Sequence, residues 1–326
     1  MNVLVTGGAG FFGSCFIEIL YERYPQANIV VLDSLTYAGD IENIPMEIRQ
    51  SDRFSFYYGD VSNAEIVNYV MQDVDVVVHF AAESHVTRSI YDNQRFYITD
   101  VLGTQVMATA AMKHDVRMFV HISTSEVYGT AEYSPMDEKH PLKPRSPYAS
   151  AKCGADRLVY SYIQTYGLPA VILRPFNQYG PKQHLEKVIP QFIYRAMNQQ
   201  PLLLHGGGKA TRDWQYVYDT CRKICAVIDN EPFGEVINLG SGEEISIYDV
   251  AQAIIRETGS GTIEICEDRN GQVARHISNT DKYAAMCGNS NPLPFETGIH
   301  YTVGWYKKND SWRKHEWMKD VLLERG

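Results

Sequence analysis

The run Gly7–Gly8–Ala9–Gly10–Phe11–Phe12–Gly13 constrains the fold of this chain more than any other stretch. It follows the apolar run Val3–Val5 and opens an amphipathic segment near 12–24, so it sits at a strand-to-helix turn. It satisfies both Gly8-x-Gly10-x-x-Gly13 and Gly7-x-x-Gly10-x-x-Gly13. Glycine is needed where the chain turns sharply, where backbone meets a pyrophosphate and where the helix packs on the strand. The helix start then offers unpaired N–H groups and the positive end of its dipole to phosphate. Glycines alone also make ordinary turns, so the context decides. A second run, Ile29–Leu32, ends in Asp33, twenty residues after Gly13. That carboxylate is placed for the adenosine ribose hydroxyls and repels a 2′-phosphate, which favours NAD over NADP. No Arg follows before Arg49. Asp60–Val61, after a third run, is placed for the adenine edge; Asp60 also reads as a helix N-cap.

Short β-rich runs alternate with longer amphipathic segments. The expected strands are Val3–Val5, Ile29–Leu32, Phe54–Tyr58, Val74–Phe80, Met118–Ser123, Ala170–Arg174 and Glu235–Leu239. Helices are expected near 12–24, 62–72, 101–115, 148–166, 216–230 and 246–257. Continuous Val/Ile/Phe character suits strands buried on both faces. The fold class is therefore α/β: a Rossmann-type doubly wound parallel sheet with a smaller mixed α/β substrate-binding domain. The dinucleotide-binding domain is expected over 1–176 and about 214–242. The smaller domain is expected over 177–213 and about 243–326, where Gly and Pro cluster at Tyr179–Gly180–Pro181 and Gly206–Gly208.

A net charge of −9 argues against nucleic-acid binding, which wants a basic face. No apolar stretch is long enough to span a bilayer and the chain opens directly on a strand, so no membrane association and a cytoplasmic location are expected. The six cysteines show no CxxC spacing, and neither they nor His79, His85, His121 and His205 form a metal pattern; no metal is expected.

Tyr148 and Lys152 lie four apart in SPYASAK, on one face of an expected helix. A lysine beside a phenol stabilises phenolate, and phenolate can take the proton of a sugar hydroxyl as hydride leaves the carbon. Such a pair is common on surface helices; the glycine fingerprint and the strand-end run HISTSEVYG raise the catalytic reading above the structural one. Thr124, Ser125 and Glu126 end that strand, at the carboxyl edge where ligands bind in such folds. Thr124 is placed to bond the reacting hydroxyl and Glu126 to act as base for a carbon acid; both also suit capping of the next turn.

These runs together resemble the extended short-chain dehydrogenases that modify nucleotide sugars, above all the dTDP-glucose 4,6-dehydratases. The resemblance runs through TGGAGFFGS, LDSLTYAG, HFAAESHVTRSI, ISTSEVYG, SPYASAK, RPFNQYGPKQHLEKVIP and TRDWQYV, almost the whole chain. It implies C4 oxidation by Tyr148 and Lys152 with Thr124 holding the 4-hydroxyl, removal of the C5 proton by Glu126, loss of water from C6 and hydride return to C6. It implies further NAD contacts from Phe11, Phe12, Ser34, Thr36, Ala81, Ala82 and Thr99. It implies a nucleotide-sugar site lined by Ser84, His85, Asn177, Glu186, Lys187, Val188, Arg212, Asn238 and Arg275, with Arg212 on the diphosphate. It also implies a homodimer formed through the helices at 101–115 and 148–166.

One departure bears on the chemistry. The dTDP-glucose enzymes carry Asp-Glu where this chain has Ser125–Glu126, and the Asp protonates the departing hydroxyl. They usually carry Asp where this chain has Thr87. Ser-Glu is similar to GDP-mannose 4,6-dehydratases and to UDP-glucuronate decarboxylases. The substrate is thus expected to be a dTDP-, UDP- or GDP-linked hexose. A 4,6-dehydratase leads; a 4-epimerase, a C4 decarboxylase, a 5,6-ene isomerase and a non-catalytic NAD-binding regulator stay open.

Overall fold

Period-two burial explains how the main sheet forms. In the strand Asn2–Thr6, Val3 and Val5 enter one core while Leu4 enters another. In Met118–Ile122, Met118, Val120 and Ile122 face the first core and Phe119 the second. Both faces are apolar, so each strand must be covered twice. The computed structural model describes residues 1–267 and 275–309. Among them the strands are β1 Asn2–Thr6, β2 Asn28–Asp33, β3 Phe54–Tyr58, β4 Val76–His79, β5 Met118–Ile122, β6 Ala170–Pro175, β7 Asn177–Tyr179, β8 Pro201–His205, β9 Thr211–Tyr216, β10 Val236–Leu239, β11 Glu244–Ser246, β12 Thr262–Cys266 and β13 Arg275–His276.

Seven of them form a wholly parallel sheet in the order β10-β6-β5-β4-β1-β2-β3. Helices Phe11–Arg23 and Val217–Asn230 supply one covering layer. Ala64–Val70, Gly103–Lys113 and Pro147–Tyr166 supply the other. The order reverses between β1 and β4, which opens a crevice at the carboxyl ends of the strands. This is the expected Rossmann-type α/β sheet.

The second lobe has its own core beneath helices Val188–Met197, Ile247–Thr258 and Phe295–Lys308. Here β9 pairs with β7, β11 and β13, and β8 pairs with β12. Two expected boundaries move. Residues 214–216 belong to β9 of this second sheet, so the return to the main sheet begins with the helix at Val217. The helix Asp281–Cys287 buries Tyr283 in the first core rather than the second, so it goes with the main sheet. Residues 310–326 of the expected smaller domain lie outside the described residues.

Local chemistry fixes the ends of the helix that carries Tyr148. Ser146 Oγ accepts the Ala149 N–H at 3.1 Å, Pro147 follows, and Gly167 closes the helix in the left-handed region at φ 72°. The helix expected at 101–115 enters through a π-helical turn, Tyr97–Leu102, before Gly103–Lys113. No helix among the described residues is long and apolar enough to cross a membrane.

Candidate active site

A cleft of about 470 Å³ lies at the carboxyl edge of the main sheet, between the two lobes. At one end the first turn of Phe11–Arg23 starts at Gly10 without any side-chain cap, leaving its amides to a ligand. Gly7 has φ 67°, and a Cβ there would stand 2.7 Å from the Ala81 nitrogen; one on Gly13 would stand 2.3 Å from the Gly7 oxygen. A side chain at either position would collide with backbone, so only glycine lets the turn pack this closely, and Gly7, Gly10 and Gly13 line the cleft. Asp33, at the end of β2, takes the Ala9 N–H at 2.8 Å and the Leu35 N–H at 2.8 Å. Burial raises its pKa while those two N–H bonds oppose the rise.

Every residue expected to hold the cofactor lines this cleft: Gly7, Gly10, Phe11, Phe12, Gly13, Asp33, Ser34, Thr36, Asp60, Val61, Ala81, Ala82 and Thr99, with Tyr148 and Lys152. Asp60 is not the expected N-cap. It closes a turn on the Ser62 N–H and hydroxyl, both at 2.8 Å, and Asn63 caps the helix.

Thr124, Ser125, Glu126, Tyr148 and Lys152 meet on the wall formed by the end of β5 and the start of the helix Pro147–Tyr166. The Thr124 hydroxyl lies against the Tyr148 phenol and also accepts the Glu126 N–H at 3.2 Å, so it both caps and faces the site. Lys152 Nζ donates to the Ile122 carbonyl at 2.7 Å. Burial lowers the lysine pKa, and the charges of Asp100 and Asp156 oppose this. The expected lowering of the Tyr148 pKa by Lys152 does not appear. Burial pushes the phenol up, and it is the Thr124 hydrogen bond that pulls it back. Burial also raises Glu126, against the pull of Arg212 and then Lys187.

Ser84, Asn177, Glu186 and Lys187 line the second-lobe side of the cleft. Glu186 is the hub there. His85 Nε2 stands 3.7 Å away, His184 Nδ1 3.5 Å and Lys187 Nζ 3.6 Å. Burial favours its neutral form, but Lys187 and the two histidines outweigh this and hold it near 2.

Five residues expected at the sugar site do not line the cleft. His85 caps the helix Val86–Tyr91 by accepting the Arg88 N–H at 3.0 Å. Val188 begins the helix Val188–Met197 and packs on the second core. Arg212 feels the Glu126 charge and donates to its neighbour's carbonyl, Thr211 O, at 2.8 Å. Asn238 is wholly buried because both ends of its amide are engaged: Oδ1 takes the Tyr128 hydroxyl at 2.7 Å and Nδ2 reaches Met136 O at 3.0 Å. Arg275 is exposed and clamps Glu244 through Nε at 2.8 Å and Nη2 at 2.5 Å.

Residues not expected also reach the site. Glu83, Arg95, Gln183 and His184 line the cleft. Asp100, on the π-helical turn, and His276, on β13, stand behind Lys152 and Ser125. The QHLEK run held two of these in plain view; nothing in the spacing ties His276 to Ser125.

Residues 4–305 match the family model described as GDP-mannose 4,6 dehydratase. The chain is 42% identical over 312 residues to the low-salt glycan biosynthesis protein Agl12 of Haloferax volcanii, covering 95% of this chain and 100% of that protein. It is 37% identical over 319 residues to a dTDP-glucose 4,6-dehydratase of an Actinoplanes species, covering 96% and 99%. A dTDP-glucose 4,6-dehydratase of Streptomyces venezuelae, solved with NAD bound, superposes with a TM-score of 0.91 at 38% identity, covering 96% of this chain and 98% of that one.

Proposed function

The chain belongs to the GDP-mannose 4,6 dehydratase family, and on that premise we propose that it is an NAD-dependent nucleotide-sugar 4,6-dehydratase. The observation that carries this reading is the joining of Thr124, Glu126, Tyr148 and Lys152 on one wall of a cleft whose far end is a glycine cradle.

The cradle fits NAD. Gly7, Gly10 and Gly13 line the cleft at an uncapped helix start that would hold its pyrophosphate, and Asp33 at the end of β2 would hold its ribose hydroxyls. When bound, NAD accepts hydride from C4 and returns it to C6, so no net oxidation results.

The chain's own residues move the protons. Thr124 holds the 4-hydroxyl against Tyr148, whose phenolate takes its proton; the Thr124 hydrogen bond favours that phenolate, and Lys152, held by the Ile122 carbonyl, lines the same wall. The C4 ketone acidifies C5–H, and Glu126 removes that proton. Its raised pKa suits a carboxylate that must take a proton from carbon and give it up again. Arg212 limits that rise, and this is its proposed role in place of a diphosphate contact. Ser84, Asn177, Glu186 and Lys187 are the proposed contacts to a nucleoside-diphosphate hexose, dTDP-, UDP- or GDP-linked.

Residues 1–176 and 217–242 with the helix Asp281–Cys287 form the proposed NAD-binding domain; the second lobe is the proposed sugar domain. A homodimer is proposed through the helices expected at 101–115 and 148–166, where Leu102 and Tyr160, with Tyr97 and Ile98 on the turn before the first, are exposed apolar side chains. A reducing, cytoplasmic location is proposed from six free cysteines, three of them buried.

A second reading, C4 oxidation without dehydration as in a 4-epimerase, is favoured by one observation: Ser125, not a carboxylic acid, faces the site beside Glu126. Mass spectrometry of the protein with a panel of dTDP-, UDP- and GDP-sugars, including UDP-N-acetylglucosamine, separates the two. A product lighter by one water, without net NADH, is expected. Epimerised sugar of unchanged mass would overturn the dehydratase reading.

A further inference from the structure

Ser125 and His276 are 151 residues apart in sequence, and Ser125 Oγ lies 3.4 Å from His276 Nδ1. Both are almost wholly buried, at 3% and 1% exposed. Ser125 lines the cleft and His276 does not, so the histidine reaches the reacting sugar only through the serine. The second lobe delivers it: β13 pairs with β9 so that His276 stands in register with Arg212, the residue whose charge Glu126 feels. The Phe176 ring packs 5.2 Å from the imidazole.

The imidazole is neutral. Burial, then the charges of Arg212 and His140, hold its pKa down to about 3, against a contribution from the Gly129 carbonyl. A neutral ring has one N–H and one bare nitrogen. Among the described residues, buried His276 Nε2 has no hydrogen-bond partner. Nδ1 is the ring nitrogen within hydrogen-bond reach of a partner side chain, so a proton there is paired by Ser125 Oγ, with the Gly129 carbonyl the other acceptor near the ring. The serine's own proton is then free to turn into the cleft. The opposite tautomer would spend that proton on the ring and present only lone pairs to the sugar, which repel a departing hydroxide.

We propose that His276 is a positioning residue for the elimination step: its Nδ1–H donates to Ser125 Oγ and so directs the Ser125 hydroxyl proton at the oxygen leaving C6. This rests on the dehydratase reading. No proton passes through the histidine. The C5–H bond breaks and its proton goes to Glu126; the C6–O bond breaks and the hydroxide takes that proton from Glu126, leaving as water. Ser125 supplies a hydrogen bond to that oxygen as charge develops on it, strengthened by the bond its own oxygen accepts. A serine in this setting does by placement what a carboxylic acid does by acidity.

The test follows dTDP-glucose in deuterium oxide with wild-type protein and the His276→Phe, His276→Asn and Ser125→Ala variants. His276→Phe is expected to slow water loss about tenfold, the size of one lost neutral hydrogen bond. C5 exchange should persist, so recovered sugar carries deuterium at C5. His276→Asn, whose amide N–H can replace Nδ1–H, should restore most of the rate, and Ser125→Ala should behave like His276→Phe. Unchanged water loss in His276→Phe, or exchange and water loss falling together, would overturn the proposal. A readout that needs no turnover is nitrogen-15 NMR of the His276 ring in the NAD-loaded protein. A protonated Nδ1 that shifts on Ser125→Ala is expected, and a protonated Nε2 overturns the proposal. A protein that removes water from no sugar fails the dehydratase reading instead, while the ring spectrum still decides the hydrogen bond.

Discussion

The Tyr37 hydroxyl donates to Glu186 Oε1 at 3.0 Å, and the Arg88 guanidinium lies 3.6 Å from the centre of the Tyr37 ring. One side chain from the loop after β2 thereby ties the cofactor end of the cleft to the second-lobe loop that carries Glu186 and Lys187. Tyr37→Phe keeps the ring on Arg88 and removes only the bond to Glu186. The expected result is a several-fold rise in KM for the nucleotide sugar with kcat nearly unchanged, since one hydrogen bond to a carboxylate contributes about 1.5–3 kcal/mol at most. Steady-state kinetics checks it. A fall in kcat at constant KM would place Tyr37 in the chemistry rather than in the assembly of the site.

Tyr148→Phe removes the phenolic oxygen that lies against Thr124 and leaves the ring against Phe96, whose centre is 6.3 Å away. Turnover is expected to fall by roughly 100-fold to 10,000-fold, the usual range for a lost general base. NAD content and thermal midpoint should stay at wild-type values, because the glycine cradle and the helix cap at Ser146 are untouched. Mass spectrometry for water loss, with NAD measured after denaturation, separates the two. Unchanged turnover would refute the role of Tyr148.

Much of this site was legible because its residues sit at strand ends and helix starts, where local chemistry fixes position. Gly7–Gly13, Asp33 and Thr124–Glu126 all end strands of the main sheet, and Tyr148–Lys152 follows a Ser-Pro cap. The same reasoning failed where a position depends on the second lobe. Asn238 lies on β10 as expected, one residue before its end, yet its amide is consumed by Tyr128 and Met136. Arg275 neighbours His276 on β13, but strand alternation sends Arg275 outward to Glu244 and His276 inward to Ser125. The lowering of the Tyr148 pKa was misjudged for a related reason: spacing puts Lys152 on the same helix face but says nothing of the Ile122 carbonyl that takes its ammonium.

Beneath the catalytic wall, Asp156 accepts two bonds from Arg174, Nε and Nη2 each at 2.9 Å, and one from Ser123 at 2.7 Å. Burial favours the neutral acid, but Arg174 first, then Arg157 and Ser123, outweigh it and hold the carboxyl far below the usual carboxylate range. Asp156→Ala leaves Arg174 buried without its carboxylate, keeping only the Tyr128 hydroxyl at 3.0 Å, so a loss of about 3–5 kcal/mol is expected in urea unfolding near neutral pH. A depressed acid contributes stability above its unfolded pKa of about 3.9 and loses it as pH falls through the folded value. The gap between wild type and variant should therefore narrow only below about pH 4. A gap that is constant with pH would mean that shape, not charge, holds this position.

Asp100 shows the opposite sign. It lies on the π-helical turn, its Oδ1 takes the Glu83 N–H at 2.8 Å, and its buried Oδ2 has no partner among the described residues. Burial raises its pKa to about 7, and the Lys152 charge opposes the rise. A raised acid contributes stability that is complete below its unfolded pKa of about 3.9 and is lost as pH rises through the folded value. Asp100→Asn keeps an acceptor for the Glu83 N–H and cannot ionise. Relative to wild type, its thermal midpoint should therefore climb between about pH 4 and pH 7 and level off above. Activity should move differently. Asp100 supports the charge on Lys152 against the lowering caused by burial. Without it Lys152 gives up its proton at a lower pH, and the alkaline limb of kcat should shift toward neutrality. A thermal difference that does not vary with pH would show that Asp100 titrates like an exposed carboxyl, and an unmoved alkaline limb would separate it from Lys152.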